Sequence, residues 1–282
     1  RAINNLTVHG LANLRADLTT VGDQTFHDRV YLYTNSGSQV TTDTVTLTAT
    51  NLTFNNNLNG GWAMDGVVSF KSNASGLSSF AGTIGDQYKP LNVEVLGATS
   101  LANNATTVGT QTYQGAVTIS ASTTTLSTTN SDVYFGSTLN ANVAGKALII
   151  SNGTGDTTFT GAVGGVAALG NMTLTTDVLT AAAIKLQGTL SLSNAGTSTI
   201  SGIISNGASA ASLTKAGAGS LLLTATNTYS GTTTISAGVL QLGNNSATGT
   251  INNSAIVNNA QLLFDYSTDT TVASNISGSG SV

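Results

Sequence analysis

An apolar pair at positions i and i+2 recurs down the C-terminal third of the chain. Leu221 and Leu223 return as Leu240 and Leu242, and return again as Leu262 and Phe264. In a strand, positions i and i+2 share a face. Between the pairs lie Gly, Thr, Ser and Asn, residues suited to tight turns and solvated strand faces. A winding of about 20 residues is too thin to hide its own apolar face, so stacked windings must bury that face against one another. Upstream, Met172 and Leu174 return at a similar spacing as Leu190 and Leu192, and Ile200 and Ile203 are expected to carry the stack to Leu221. The pattern predicts an all-β fold: a right-handed parallel β-helix, a solenoid with coils of about 18–22 residues and ~14 windings. A β-sandwich is the competing fold, since Asn59-Gly60, Asp65-Gly66, Asn152-Gly153 and Asn206-Gly207 would suit hairpins. The longer recurrence outweighs those dipeptides.

A second, longer repeat fills the N-terminal half. Thr19-Thr20-Val21-Gly22-Asp23-Gln24-Thr25-Phe26 returns as Thr106-Thr107-Val108-Gly109-Thr110-Gln111-Thr112-Tyr113. Phe54 to Asn59 returns as Phe135 to Asn140, and Ser79 to Gly85 as Thr158 to Gly164. The order is kept while the offset shrinks. Residues 19–95 and 106–174 therefore read as two modules, the first carrying insertions. Extra residues in a solenoid emerge as loops. The insertions around Trp62 and Asp65, and around Asp86, Tyr88 and Lys89, are the candidate ligand-contact loops.

Composition narrows the class. Charged residues are 7% of the chain while hydrophobic ones are 40%, so Thr, Ser, Asn and Gly carry the polarity. Disorder combines low hydrophobicity with high charge, which is absent here. The wet faces of helices need Glu, Lys and Arg, and Glu94 is the single glutamate. The net charge of −4 argues against nucleic acid as a partner. No apolar run approaches the roughly 20 residues of a membrane helix, so no transmembrane segment is expected. Without cysteine there is neither a disulfide nor a thiolate metal site.

Candidate chemistry is sparse. Asp23 and Asp43 lie about one coil apart and could stack as an acid pair of a polysaccharide lyase or hydrolase, but a solvated surface pair is the simpler reading. His9 and His27 could stack on neighbouring coils, yet no third histidine exists to complete a zinc site. Gly153-Thr154-Gly155-Asp156 is one partial hit to a calcium turn and reads as a plain turn. Tyr31, Tyr33, Tyr88 and Trp62 could form a platform for a sugar, set against ordinary strand packing. No catalytic, cofactor-binding or metal residue is assigned, and no cofactor is expected.

Residues 213–243 carry a resemblance. Leu213-Thr214-Lys215, Gly217-Ala218-Gly219, Leu221 to Leu223, Asn227-Thr228-Tyr229-Ser230-Gly231, Thr232 to Ile235 and Ala237 to Gly243 together resemble the autotransporter-associated β-strand repeat of secreted bacterial passenger regions. The TTVGTQTYQGAVTIS module is more loosely similar to repeats of filamentous-haemagglutinin-like exoproteins. The resemblances imply haemagglutinin-like β-helix repeats over 1–205 and autotransporter-repeat β-helix over 206–282, continuing one solenoid in a fragment of a longer chain. They imply a non-enzymatic segment of an extracellular, bacterial cell-surface protein. It would act as a stalk or adhesin, mediating attachment to a host or neighbouring-cell glycan or protein, or self-association. The alternatives are a carbohydrate-active β-helix enzyme and a subunit of a self-assembling extracellular fibre or sheath.

Overall fold

The computed structural model describes residues 2–34, 43–61, 65–251, 255–269 and 271–282. The chain divides into two compact units, Arg1–Ser137 and Thr138–Val282. Among the described residues there is no helix, and the strand pairings within each unit are parallel. Parallel ladders between successive windings define a β-solenoid and leave no place for the hairpins of a sandwich.

In the first unit three strand faces alternate around each winding. The first face carries Leu6–Val8, Gln24–Phe26, Leu52–Phe54, Leu77–Phe80, Ala98–Leu101 and Val117–Ile119. The second carries Ala12–Leu14, Val30–Leu32, Leu58–Asn59, Ala105–Thr106 and Thr123–Ser127, with Ile84 bridging between Leu58 and Ala105. The third carries Leu18–Thr19, Asp43–Thr48, Val68–Ser72, Val93–Val95, Gln111–Tyr113 and Val133–Phe135. Windings are unequal: Leu6 pairs with Gln24, but Leu18 pairs with Leu47, across a distinctly longer stretch of chain. The ladders stay in register across windings of different length. Among the described residues the sheet of the third face counts six strands in each unit, twelve in all, against the ~14 windings that a uniform short coil predicts.

Phenylalanines fill the first unit. Phe26, Phe54 and Phe80 occupy one register, with ring centroids 5.3 and 5.1 Å apart and nearly parallel planes. Phe70, from the third face, meets Phe54 and Phe80 edge-on. Stacked and edge-on geometries are those that the ring quadrupole favours.

The repeated octapeptide forms a corner. Gln24 and Gln111 are both fully buried. Gln24 Nε2 donates to Leu18 O and Thr48 O, clamping its own winding to the next. Gln111 Nε2 makes the same pair of bonds, to Ala105 O and Ser127 O. The two copies nevertheless occupy different corners: Gln24–Phe26 lies on the first face and Gln111–Tyr113 on the third. Phe54 and Phe135 differ in the same way. The second copy is thus offset by a non-integral number of windings, and what repeats is corner chemistry rather than angular position.

At their last position the copies differ by one hydroxyl. Tyr113 Oη donates to Gln111 Oε1 at 3.2 Å, whereas Phe26 leaves Gln24 Oε1 buried without a partner. Burial pushes the Tyr113 hydroxyl well above its ordinary pKa, which keeps it a donor. Phe26→Tyr should therefore raise stability by about 0.5–1.5 kcal/mol, and Tyr113→Phe should lower it by about 1–2 kcal/mol, as read by urea unfolding.

In the second unit the expected columns are present. Leu221, Leu240 and Leu262 are consecutive register partners, as are Leu223, Leu242 and Phe264. Met172 and Leu174 pair with Leu190 and Leu192. Ladders run across residues 205 and 206: Ile184 pairs with Ile204, and Leu190 with Leu213. Ile200 is buried, but Ile203 is 44% exposed and does not join the stack, because it falls at a corner after the Thr197–Ile200 strand. Inward polar residues close the corners here too. Asn194 Nδ2 donates to Gly196 O and Ser220 O, and Asn227 Nδ2 to Ala225 O and Thr250 O.

Candidate functional site

The described part of the predicted loops comes together at one corner of the first unit. Asp65 Oδ1 accepts the backbone N–H of Lys89 at 2.7 Å, and Gly66 N donates to Lys89 O. Asn59 Oδ1 accepts from the N–H groups of Gln87 and Tyr88, and Asn57 Nδ2 donates to Asp86 Oδ2. Tyr31 Oη donates to Gln87 Oε1 at 2.6 Å, and the Tyr31 and Tyr88 rings lie 6.4 Å apart. Asp65 and Asp86 are exposed, Tyr88 and Lys89 half-buried, and Tyr31 buried. Tyr31 is thus packing and Tyr88 a half-open ring. Trp62 lies outside the described residues.

A second constellation sits on the third face of the same unit. Arg15, Asp17, Tyr33 and Asp43 line an open hollow of about 450 Å³. The Arg15 guanidinium stacks over the Tyr33 ring, 4.8 Å from its centroid, a cation–π contact. Asp17 Oδ1 accepts the backbone N–H of Thr46 at 2.7 Å, tying the Asp43–Thr48 strand to the preceding winding. Beyond it Lys71 Nζ and Glu94 Oε2 form an ion pair at 2.9 Å, each side chain about a third exposed. At that exposure the pair contributes at most about 1 kcal/mol. Lys71→Gln should shift the urea midpoint very little.

The other candidates resolve as architecture. Asp23 and Asp43 do not stack. Asp23 belongs to a ladder in which Asn5 Oδ1 accepts from Asp23 N, and Asp23 Oδ1 accepts from the backbone N–H and the side-chain amide of Asn51. Asp43 begins a strand of the third face, in register with Val68. The acid pair expected of a lyase or hydrolase is therefore not formed by these two residues. His9 and His27 do stack, with centroids 4.8 Å apart and planes within 2°, and Asn55 Nδ2 lies 3.0 Å from His27 Nδ1. Gly153 to Asp156 is a turn closed by Asn152, whose Nδ2 donates to Asp156 O. Among the described residues no group of three His, Cys, Asp or Glu side chains gathers as a metal site would require.

Lys215 is the residue whose environment the sequence did not predict. It occupies the inward register position after Leu174 and Leu192, and is fully buried. Its Nζ donates to Ala216 O at 2.6 Å, Gly217 O at 3.0 Å and Ala237 O at 3.4 Å. Gly217 and Gly238 hold positive φ at this corner, and a Cβ at Gly217 would stand 2.4 Å from Asn194 O. Burial lowers the Lys215 pKa from 10.5 to about 8.

The Arg15 hollow was also missed as a group. A signal existed: more than half of the charged residues, Arg1 to Glu94, fall in the first third of the chain. Which of them share a face depends on winding lengths that the sequence leaves open.

Residues 213–242 match the family model of the Passenger-associated-transport-repeat. Neither the curated proteins nor the solved structures contain a match to the chain. The matched segment holds two central column residues, Leu221 and Leu240, together with the buried Lys215 corner. A passenger-associated-transport repeat set in a parallel β-solenoid fits an autotransporter passenger-like repeat protein.

Proposed function

We propose that the chain is a segment of an extracellular, surface-displayed bacterial protein, a β-solenoid stalk that mediates attachment rather than catalysis. The observation that carries this reading is where the family repeat spends its side chains. Leu213, Lys215, Leu221, Leu223, Tyr229, Ile235 and Leu240 are all fully buried. The Tyr229 hydroxyl is 2.6 Å from Thr233 Oγ1, inside the stack. A repeat that turns most of its large side chains inward encodes scaffold, and leaves recognition to corners and outer faces elsewhere. The charge-rich first unit, with its Asp65–Lys89 corner and Arg15 hollow, is where this reading locates recognition. The same reading separates the haemagglutinin-like repeats of 1–205 from the transport-type repeats of 206–282 by task, display before and scaffold after.

The test is made in the native cell with the full-length protein tagged within the first unit. The reading expects the tag to be removed by protease added to intact cells, and expects a deletion strain to adhere several-fold less to surfaces or to other cells. A protected tag, or unchanged adherence, would contradict it.

A further inference from the structure

The Arg15 hollow does not end at Asp43. A second hollow of about 230 Å³, lined by Lys71, Asn92, Glu94 and Thr112, shares Thr44 with it. Outward residues Thr46, Lys71, Glu94 and Thr112 are successive register partners, one on each winding. The two hollows therefore make one polar trough that runs along the stack, crossing several windings of the third face.

We propose that this trough binds an extended, electrically neutral glycan lying along the stack, with one sugar against each winding. Spacing is the first reason. Neighbouring strands are about 4.8 Å apart, close to the advance of one ring in an extended polysaccharide, so successive sugars meet successive windings, with alternate rings turned over where the chain is a two-fold ribbon. Charge is the second. Arg15 and Lys71 face Asp17, Asp43 and Glu94, a local balance of one negative charge, and Lys71 is already paired with Glu94. A polyanion gains nothing in such a trough, whereas carboxylates, a guanidinium edge and threonine hydroxyls match the donors and acceptors of sugar hydroxyls. Backbone pairing is the third. From Thr44 to Thr112 the floor is made of strands paired on both sides, so a peptide finds no open edge to extend there. Arg15, held by Tyr33, presents its N–H edge without first losing side-chain freedom. The proposal deepens the attachment reading and rests on it for its biological setting, but the binding itself is measured without cells.

Affinity electrophoresis of the purified chain tests it, in gels containing hydroxyethyl cellulose, galactomannan, polygalacturonate or dextran sulfate. Retardation is expected with at least one neutral polymer and with neither anionic one. Arg15→Ala, Asp43→Asn and Glu94→Gln should each weaken retardation about tenfold, while Lys185→Ala, in the second unit, should not. Circular dichroism guards against misfolding. If Asp43→Asn alters the fold, Glu94→Gln, at a half-exposed position, still reports. Retardation in neither neutral gel, retardation only in the anionic gels, or retardation indifferent to the three variants overturns the proposal. Shortening of a neutral polymer that these variants abolish would support the site while overturning the non-enzymatic reading. Loss of surface display in cells would overturn the attachment reading and leave the trough standing.

Discussion

Stability of the natural chain should rise between about pH 8 and pH 10 and fall above that, and Lys215→Met should erase the rise. Lys215 carries its proton up to about pH 8 when folded and up to 10.5 when unfolded. Between those values the unfolded chain binds more protons, so raising the pH favours the folded state. The full span corresponds to at most about 3 kcal/mol, less whatever the three carbonyl acceptors recover for the charged form. Burial acts on tyrosine in the opposite direction. The Tyr229 and Tyr266 hydroxyls are pushed above their usual value of 10.0, so above pH 10 the unfolded chain loses those protons first and stability declines. Urea midpoints by circular dichroism at pH 7, 8, 9, 10 and 11 read both limbs. In Lys215→Met the falling limb should remain alone. Lys215→Ala should be worse at every pH, by about 3 kcal/mol or more, because it leaves a cavity and strips a donor from Ala216 O, Gly217 O and Ala237 O together. A natural chain with a flat profile from pH 8 to 10 would show that the carbonyls hold the ammonium charged despite its burial.

Phe54→Ala should destabilise the first unit by about 3–5 kcal/mol. Phe54 is the middle ring of three, between Phe26 and Phe80, and receives the edge of Phe70 as well. It is 1% exposed, so no solvent can occupy the space without facing rings on every side. In a solenoid the loss falls mainly on the windings above and below. Hydrogen exchange should accordingly quicken most in Gln24–Phe26, Leu52–Phe54 and Leu77–Phe80, and little in Val133–Phe135. Uniform acceleration across the whole unit would mean that its windings melt as one.

Much of this fold could be read from the order of apolar residues. The recurrences that link Met172 to Leu190, Leu221 to Leu240 and Leu240 to Leu262 are register pairs in the structure. They were legible because the second unit lacks long insertions, so sequence distance and winding length nearly coincide. In the first unit that coincidence fails. Asp23 and Asp43 are separated by about one average coil, yet the winding between them is long and they finish on different faces. Conversely Arg15, Tyr33 and Asp43 look unrelated in sequence and share one hollow. Ile203 shows the same limit on a smaller scale, since a small displacement along a corner moves a side chain from core to solvent. Lys215 was legible as part of a repeat but not as a core residue, because only the register reveals that it follows Leu192 inward. The proximity of Asp65, Asp86, Tyr88 and Lys89 was thus readable from their place in insertions, and that of Arg15, Tyr33 and Asp43 was not, because an outer face assembled them.

Within each unit successive windings lie in parallel register, each directly on the last, and paired cysteines test this most directly because the chain has none of its own. Leu222 and Gln241 are register partners in the second unit, and Thr25 and Thr53 in the first, all at half-exposed positions on strand faces. Partners one strand apart fall within the Cα separation of about 4.4–6.8 Å that disulfides usually span. Leu222→Cys with Gln241→Cys, and Thr25→Cys with Thr53→Cys, should each oxidise rapidly to an intramolecular disulfide, while Leu222→Cys with Thr234→Cys, on different faces, should stay reduced. Free thiols in both in-register pairs, with bridging in the off-face pair, would contradict the stacked solenoid.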